Sequence, residues 1–272
     1  MSRFTLLLLA ALLLSAGCKR EAVTPPAGEG AIPGAASDAS ATDPVVLEDV
    51  VERDPRYIIG ISYPPVAREH PGLAALLKAY ADAARADLET ALHGLGDARP
   101  TAPYDLSLGF TTLVSTPEIV AIAANGSSYT GGAHGNPLVA RFVWLPRQER
   151  RLTADILLAD PGGWEPISAY VREQLFTSLS QRADMRALPP DERASLLRSA
   201  GSMIDEGTAP VASSFDQFEP VLGADGRIQA LRFVFPPYQV GPYSDGVQAV
   251  EVPAAVLLPL VAAEYRRLFQ GG

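Results

Sequence analysis

The sequence is poor in the residues that most often carry chemistry. Among its 272 residues are one cysteine and three histidines, so an internal disulfide and a cysteine-based zinc site are both excluded. It has no Gly-x-Ser-x-Gly elbow, no His-Glu-x-x-His pair and no phosphate-binding Gly-x-x-x-x-Gly-Lys loop. The sequence therefore favours a non-catalytic protein without a cofactor or bound metal, and it identifies no catalytic residue.

An excess of positive charge is also missing. Twenty-two Lys and Arg residues face 31 Asp and Glu residues, which gives a formal net charge of -9. A nucleic-acid partner is not expected, because phosphate recognition requires a basic surface. An acidic chain would instead attract cationic partners at low salt.

The N-terminus carries the one marked apolar run. Arg3 precedes an apolar stretch, the small residues Ser15 to Gly17 follow it, and the single cysteine comes next as Cys18. The 13 residues from Phe4 to Ala16 are fewer than the roughly 20 that span a bilayer as a helix. Residues 1–17 are predicted to be a signal peptide, although an uncleaved anchor with a chance cysteine is the alternative.

The residues around Cys18 resemble the lipobox of bacterial lipoproteins. That resemblance implies cleavage before Cys18, acylation of this residue and membrane attachment through the lipid. We therefore expect a cell-envelope lipoprotein that faces the periplasm, and Lys19 favours the outer membrane over the inner one. Residues 18–44 are rich in Ala, Pro, Gly, Ser and Thr and are predicted to be a disordered tether.

Residues 45–272 have the patterns of a folded α+β protein with antiparallel sheets and segregated packing helices. Two halves are expected, residues 45–150 and residues 151–272. Strands are predicted over 56–66, 104–115, 118–128, 138–146, 214–222, 227–235 and 247–252. Helices are predicted over 70–95, 164–179 and 196–204, with a closing helix from Pro253 that is kinked or restarted at Pro259.

Two loops between predicted strands are candidate binding sites. The first, residues 125–137, contains Tyr129, Gly131, Gly132, His134 and Asn136, a composition that can offer backbone N–H groups and an imidazole to a ligand. The more conservative interpretation is a long hairpin whose glycines only permit positive φ angles.

The second loop, residues 236–246, contains Tyr238, Tyr243 and Asp245 among prolines and glycines. Tyrosines in such a loop can present rigid contact area to a partner. Alternatively, the loop is an ordered corner whose tyrosines pack on the sheet.

The two loops also carry a family resemblance. The segment 129–136, YTGGAHGN, is similar to the Tyr-x-Gly-Gly-Ala-His signature of the RsiV/PdaC-like family, and 233–252, FVFPPYQVGPYSDGVQAVEV, resembles its C-terminal signature. The resemblance covers about residues 56–269. It implies a DUF4163-like half over 45–150 and a DUF3298-like half over 151–272.

Members of that family include the extracellular part of an anti-sigma factor that binds lysozyme and an accessory domain of a peptidoglycan deacetylase. Neither activity is expected here: only three residues precede the apolar run, and the paired Asp and His-x-x-x-His of the deacetylases are missing. The function that the resemblance still implies is that of a binding or sensing module for a cell-wall glycan or a cationic lysozyme-like protein. The alternatives are a cell-wall hydrolase or deacetylase using His134, with Ser127 or Ser128 and Asp245 as imaginable partners, and a structural envelope protein.

Overall fold

A six-stranded sheet forms the first part of the folded chain. The computed structural model describes residues 45–272, so the predicted signal peptide, Cys18 and the tether lie outside the described residues. The strands are adjacent in chain order: β1 (Val50–Arg53), β2 (Tyr57–Ser62), β3 (Tyr104–Ser115), β4 (Val120–Tyr129), β5 (Asn136–Leu145) and β6 (Arg150–Leu152). All neighbouring pairs are antiparallel except β2 and β3, which are parallel.

The parallel pair exists because a long helix connects its two strands. Helix α1 (Pro71–Leu95) begins with proline, which is favourable in the first turn because its missing N–H would be unbonded there anyway. Its apolar stripe, which includes Leu73, Leu77 and Leu88, is buried against the sheet. Gly96 ends the helix with a φ of 57°.

Helix α1 covers one face of this sheet, and the second part of the chain covers the other face around β4 and β5, whereas Val51 and Ile58 on β1 and β2 are exposed there. On β4 and β5, Ile122, Phe142 and their even-numbered neighbours point toward α1. Val143 and Leu145 point the other way, into a core shared with the second part of the chain. A bulge near Leu113 on β3 leaves that side chain 42 % exposed and directs Val114 to the second core.

The second part of the chain packs helices against a three-stranded antiparallel sheet. Its elements are α2 (Ala154–Leu157), α3 (Trp164–Met185), α4 (Pro190–Gly207), β7 (Phe218–Leu222), β8 (Ile228–Phe235), β9 (Gln248–Pro253) and α5 (Ala254–Leu257). Trp164 stacks on Phe215 with ring centroids 5.0 Å apart, and Phe233 meets both rings edge-on. Aromatic rings therefore fill the centre of this core.

The α+β architecture with mainly antiparallel sheets is confirmed. The predicted closing helix is wrong: after one turn, α5, the chain runs through turns to a short 3₁₀ segment at Arg266–Leu268. Pro259 cannot donate a helical hydrogen bond, and the carbonyl of Leu260 instead accepts from the N–H of Ala159 at 2.9 Å. The apolar residues of this segment are buried without continuing the helix.

Strand β6 straddles the expected border between the two halves, because Arg150 pairs with Leu145 in the first sheet. The described residues, 45–272, belong to one compact unit. Within residues 45–272, no helix has both the length and the apolar character that crossing a membrane requires.

Candidate binding site

The loop between β4 and β5 is a hairpin connection that contains two consecutive glycines. Gly131 has a φ of 101° and Gly132 a φ of 99°, values that a residue with a Cβ rarely adopts. The hydroxyl of Tyr129 donates to the carbonyl oxygen of Gly132 at 3.3 Å. The two glycines therefore permit the positive φ angles that the hairpin needs, in agreement with the more conservative interpretation of this loop. His134 follows them near the tip of the loop.

Both ring nitrogens of His134 are engaged. Its Nδ1 lies 3.1 Å from the carbonyl oxygen of Gly135, and because a carbonyl can only accept, Nδ1 carries a proton. In the neutral ring Nε2 is then an acceptor, and the hydroxyl of Tyr238 donates to it at 3.0 Å. The imidazole is therefore held in one orientation at an exposed position.

Tyr238 and Tyr243 belong to the loop between β8 and β9. The ring of Tyr243 stacks on the imidazole of His134, with centroids 4.1 Å apart and an angle of 18° between the planes. Tyr238 completes the group, 5.8 Å from Tyr243 between ring centroids. These three residues, the aromatic cluster, join loops that are 104 residues apart in the chain.

The aromatic cluster is open to solvent. Tyr238 is 53 % exposed and Tyr243 36 % exposed. Tyr238 also has a φ of 74°, a conformation that costs a bulky residue about 1–3 kcal/mol and that persists where the surrounding structure imposes it. Its N–H donates to the carbonyl oxygen of Gly241 at 2.9 Å, which closes the turn.

Residues outside the predicted set hold the second loop in place. The side chain of Gln239 donates to the carbonyl oxygens of Gly207 and Ser214, at 2.9 and 2.8 Å. A Cβ at Gly207 would overlap the carbonyl oxygen of Gln239, so this glycine permits the close approach. No local pattern singles out Gln239 or Gly207 in the sequence, because their roles depend on contacts across the fold.

Asp245 lies in the same loop, but its side chain forms an ion pair with α3 and not with His134. Its Oδ2 is 3.6 Å from an Nη atom of Arg182 on α3, and its backbone carbonyl accepts from the side chain of Gln248 at 2.7 Å. Arg182 in turn donates to the side-chain oxygen of Gln248 at 3.0 Å. Asp245 therefore anchors the loop to α3, and its 14 % exposed side chain is a support rather than a contact surface.

Seven of the eight predicted binding residues divide into three groups, and Asn136 belongs to none of them. His134, Tyr238 and Tyr243 are in direct contact; Tyr129, Gly131 and Gly132 shape the first loop; Asp245 supports the second. Asn136 is exposed at the start of β5. The hydrogen-bond partners of His134 include neither a serine hydroxyl nor a carboxylate, and within the described part of the chain no three His, Cys, Asp or Glu side chains are placed to hold a metal ion.

Comparison with known proteins gives a likeness of fold. No protein-family model and no curated protein sequence matches the chain. A DUF3298 family protein of Pseudomonas aeruginosa PAO1 has a similar structure, with a TM-score of 0.50, 17 % identity, and coverage of 85 % of this chain and 99 % of that one. The chain has the fold of a DUF3298 family protein.

A second DUF3298 family structure, from Bacteroides fragilis NCTC 9343, has a TM-score of 0.47 and 17 % identity, with coverage of 77 % of this chain and 75 % of that one. At 17 % identity, the likeness to the Pseudomonas structure shows the fold alone.

Proposed function

We propose that this chain is a DUF3298 family lipoprotein of the RsiV/PdaC-like type, anchored in the cell envelope through Cys18, and that its aromatic cluster binds a cell-wall glycan or a cationic lysozyme-like protein without catalysis. The observation that carries the proposal is the contact of His134 with both Tyr238 and Tyr243. The two loops that bear the family-like signatures meet at one exposed surface.

The chemistry of the aromatic cluster suits recognition. Tyr243 stacks on His134 and Tyr238 lies beside them, and exposed tyrosines offer an apolar face together with a hydroxyl that can bond to a polar partner. The stacking on Tyr243 and the two hydrogen bonds of His134 fix the rings before a ligand arrives, which lowers the entropic cost of binding. The strained φ of Tyr238 in an exposed loop is consistent with a functional constraint.

Charge supports the cationic partner. The chain carries a formal net charge of -9, and a long-range field of that sign accelerates encounters with basic proteins at low salt. A glycan would be bound mainly through the ring faces, with little dependence on salt. The salt dependence of binding therefore distinguishes the two partners.

The test is co-sedimentation of the purified full chain with peptidoglycan sacculi, together with titration by hen egg-white lysozyme at low and high salt. Tyr243→Ala is expected to weaken binding about tenfold, the range of a central aromatic contact, whereas Tyr243→Phe keeps the ring and most of the affinity. Leu113→Ala is the matched control, because Leu113 is 42 % exposed but lies away from both loops.

Failure of both partners to bind the wild-type chain, or equal losses in Tyr243→Ala and Leu113→Ala, would refute the proposal. Soluble sugar or acetate released from sacculi by the wild type but not by His134→Ala would favour the hydrolase or deacetylase alternative. The same incubation therefore tests both functions.

A further inference from the structure

A cleft rich in arginine lies at the other end of the strands that carry the aromatic cluster. Its volume is about 340 Å³. The residues that line it come from the β3–β4 turn, the turn after β5, the β7–β8 turn and the 3₁₀ segment near the end of the chain: Glu118, Ile119, Arg147, Asp225, Gly226, Arg227, Arg267 and Leu268.

The cleft and the aromatic cluster are separate sites. Glu118 and Ile119 precede β4, and His134 follows it; Arg227 precedes β8, and Tyr238 follows it. At about 3.3 Å per residue, the ten residues of β4 separate the two ends by roughly 30 Å. A ligand in the cleft therefore leaves the aromatic cluster accessible.

Three guanidinium groups face two carboxylates in the cleft, which is a local positive excess on an acidic chain. Arg267 is exposed and forms no hydrogen bond or ion pair through its side chain with any residue from 45 to 272. Arg147 contacts Glu118 at 2.7 Å, but its side chain is 66 % exposed. An exposed pair of this kind contributes little to stability, so Arg147 can exchange its partner for a ligand.

The side chain of Asp225 forms hydrogen bonds that stabilise the β7–β8 turn. Its Oδ1 accepts from the side chain of Gln270 at 2.9 Å and from the N–H of Arg227 at 3.1 Å. These hydrogen bonds keep the pKa of this carboxyl below its ordinary value. The guanidinium of Arg227 uses one nitrogen to donate to the carbonyl oxygen of Gly272, and its other donors remain available.

We propose that this cleft binds the phosphate group of a phosphorylated ligand, with Arg267 and Arg147 as the main donors. The planar guanidinium groups present paired N–H donors whose geometry fits phosphate oxygens. Ile119 and Leu268 also line the cleft, but both are buried, so the ligand would be held mainly through its phosphate. The phosphate is either that of a free metabolite or that of a lipid headgroup.

The test is isothermal titration of the purified full chain at low salt with two soluble probes, inorganic pyrophosphate and glycerol phosphate, the second of which has the chemistry of a phospholipid headgroup. At least one probe is expected to bind with a Kd below about 1 mM. Arg267→Ala should weaken it about tenfold, as expected for the loss of hydrogen bonds to a charged group, and Arg267→Lys should recover part of the affinity.

The matched control is Arg198→Ala on the exposed side of α4, which changes the net charge equally. Glu118→Gln should tighten binding, because it removes a competing carboxylate beside Arg147. Binding to vesicles of phosphatidylglycerol that is tighter than binding to either soluble probe indicates a headgroup, and binding to the soluble probes alone indicates a free phosphate ligand.

The proposal is overturned if neither probe binds the wild type, or if Arg198→Ala weakens binding as much as Arg267→Ala does. A thermal melt equal to that of the wild type shows that each variant is folded. Arg267→Ala and Arg198→Ala have the same net charge and should bind lysozyme and sacculi alike, so the two proposals succeed or fail independently.

Discussion

Removal of Glu219 is expected to destabilise the fold strongly. Its Oε2 accepts from Nε of Arg141 at 2.7 Å, and its Oε1 accepts from Arg232 at 2.8 Å. The side chains of Arg141 and Glu219 are each 9 % exposed. Arg141 lies on β5 of the first sheet and Glu219 on β7 of the second, so this ion pair joins the two sheets.

The expected loss in free energy of unfolding follows from the contacts that Arg141 loses in Glu219→Ala. The guanidinium of Arg141 would keep its charge in a buried position, and its remaining hydrogen bonds among residues 45–272 are to the side chain of Asn125 and to the carbonyls of Ala124 and Ala140. Leaving a buried charge without its partner costs about 3–5 kcal/mol. An exposed pair is worth about 0–1 kcal/mol, so Asp184→Ala, which breaks the exposed pair with Arg193, is the matched control.

Urea unfolding followed by circular dichroism measures the free energy of unfolding of Glu219→Ala and of the control Asp184→Ala. The double variant Arg141→Met/Glu219→Leu should lose less stability than Glu219→Ala, because no buried charge remains. A loss below about 1 kcal/mol for Glu219→Ala, or a double variant less stable than the single one, would show that the pair does not hold the sheets as argued.

Two further predictions concern turns and close approaches. Gly126→Ala should cost several kcal/mol in urea unfolding, since its Cβ would overlap a backbone carbonyl oxygen of β3, whereas Gly60→Ala, with no atom within 4 Å of its Cβ, should change stability by less than about 1 kcal/mol. The carboxyl of Asp225 has a lowered pKa, mainly through the hydrogen bond from Gln270, so its contribution to stability is present above the ordinary pKa of 3.8 and is lost as the pH falls through the lowered value. An NMR titration should place its midpoint below 3.8 in the wild type, and Gln270→Ala should move it upward; an unchanged midpoint would contradict the assignment.

Much of the secondary structure could be predicted because it rests on local patterns. The apolar stripe of α1 and the turn at residues 223–226 between β7 and β8 give strong local signals, and the structure confirms both. The short edge strands β1 and β6 were not predicted. Four and three residues are too few for a periodic pattern, so their pairing depends on neighbouring strands.

The wrong helix at the C-terminus has a different cause. Leu257, Val261, Tyr265 and Leu268 recur at helical spacing, and all are buried. Their burial, however, comes from docking against both parts of the chain, as in the bridge of Val261 with Leu158. The spacing of apolar residues indicates which side chains are buried. It does not determine the backbone conformation of a segment interrupted by prolines.

The contact between the two loops of the candidate site could not be predicted from the sequence. Composition pointed to both loops, but their contact depends on how the first sheet is placed against the second. The shared hydrophobic core and the ion pair of Arg141 with Glu219 hold that placement. The pair joins β5, which begins after His134, to β7, which pairs with the strand that leads to Tyr238. Because Glu219→Gln weakens this contact between the sheets, it should weaken lysozyme binding at the aromatic cluster, although residue 219 lies outside the cluster.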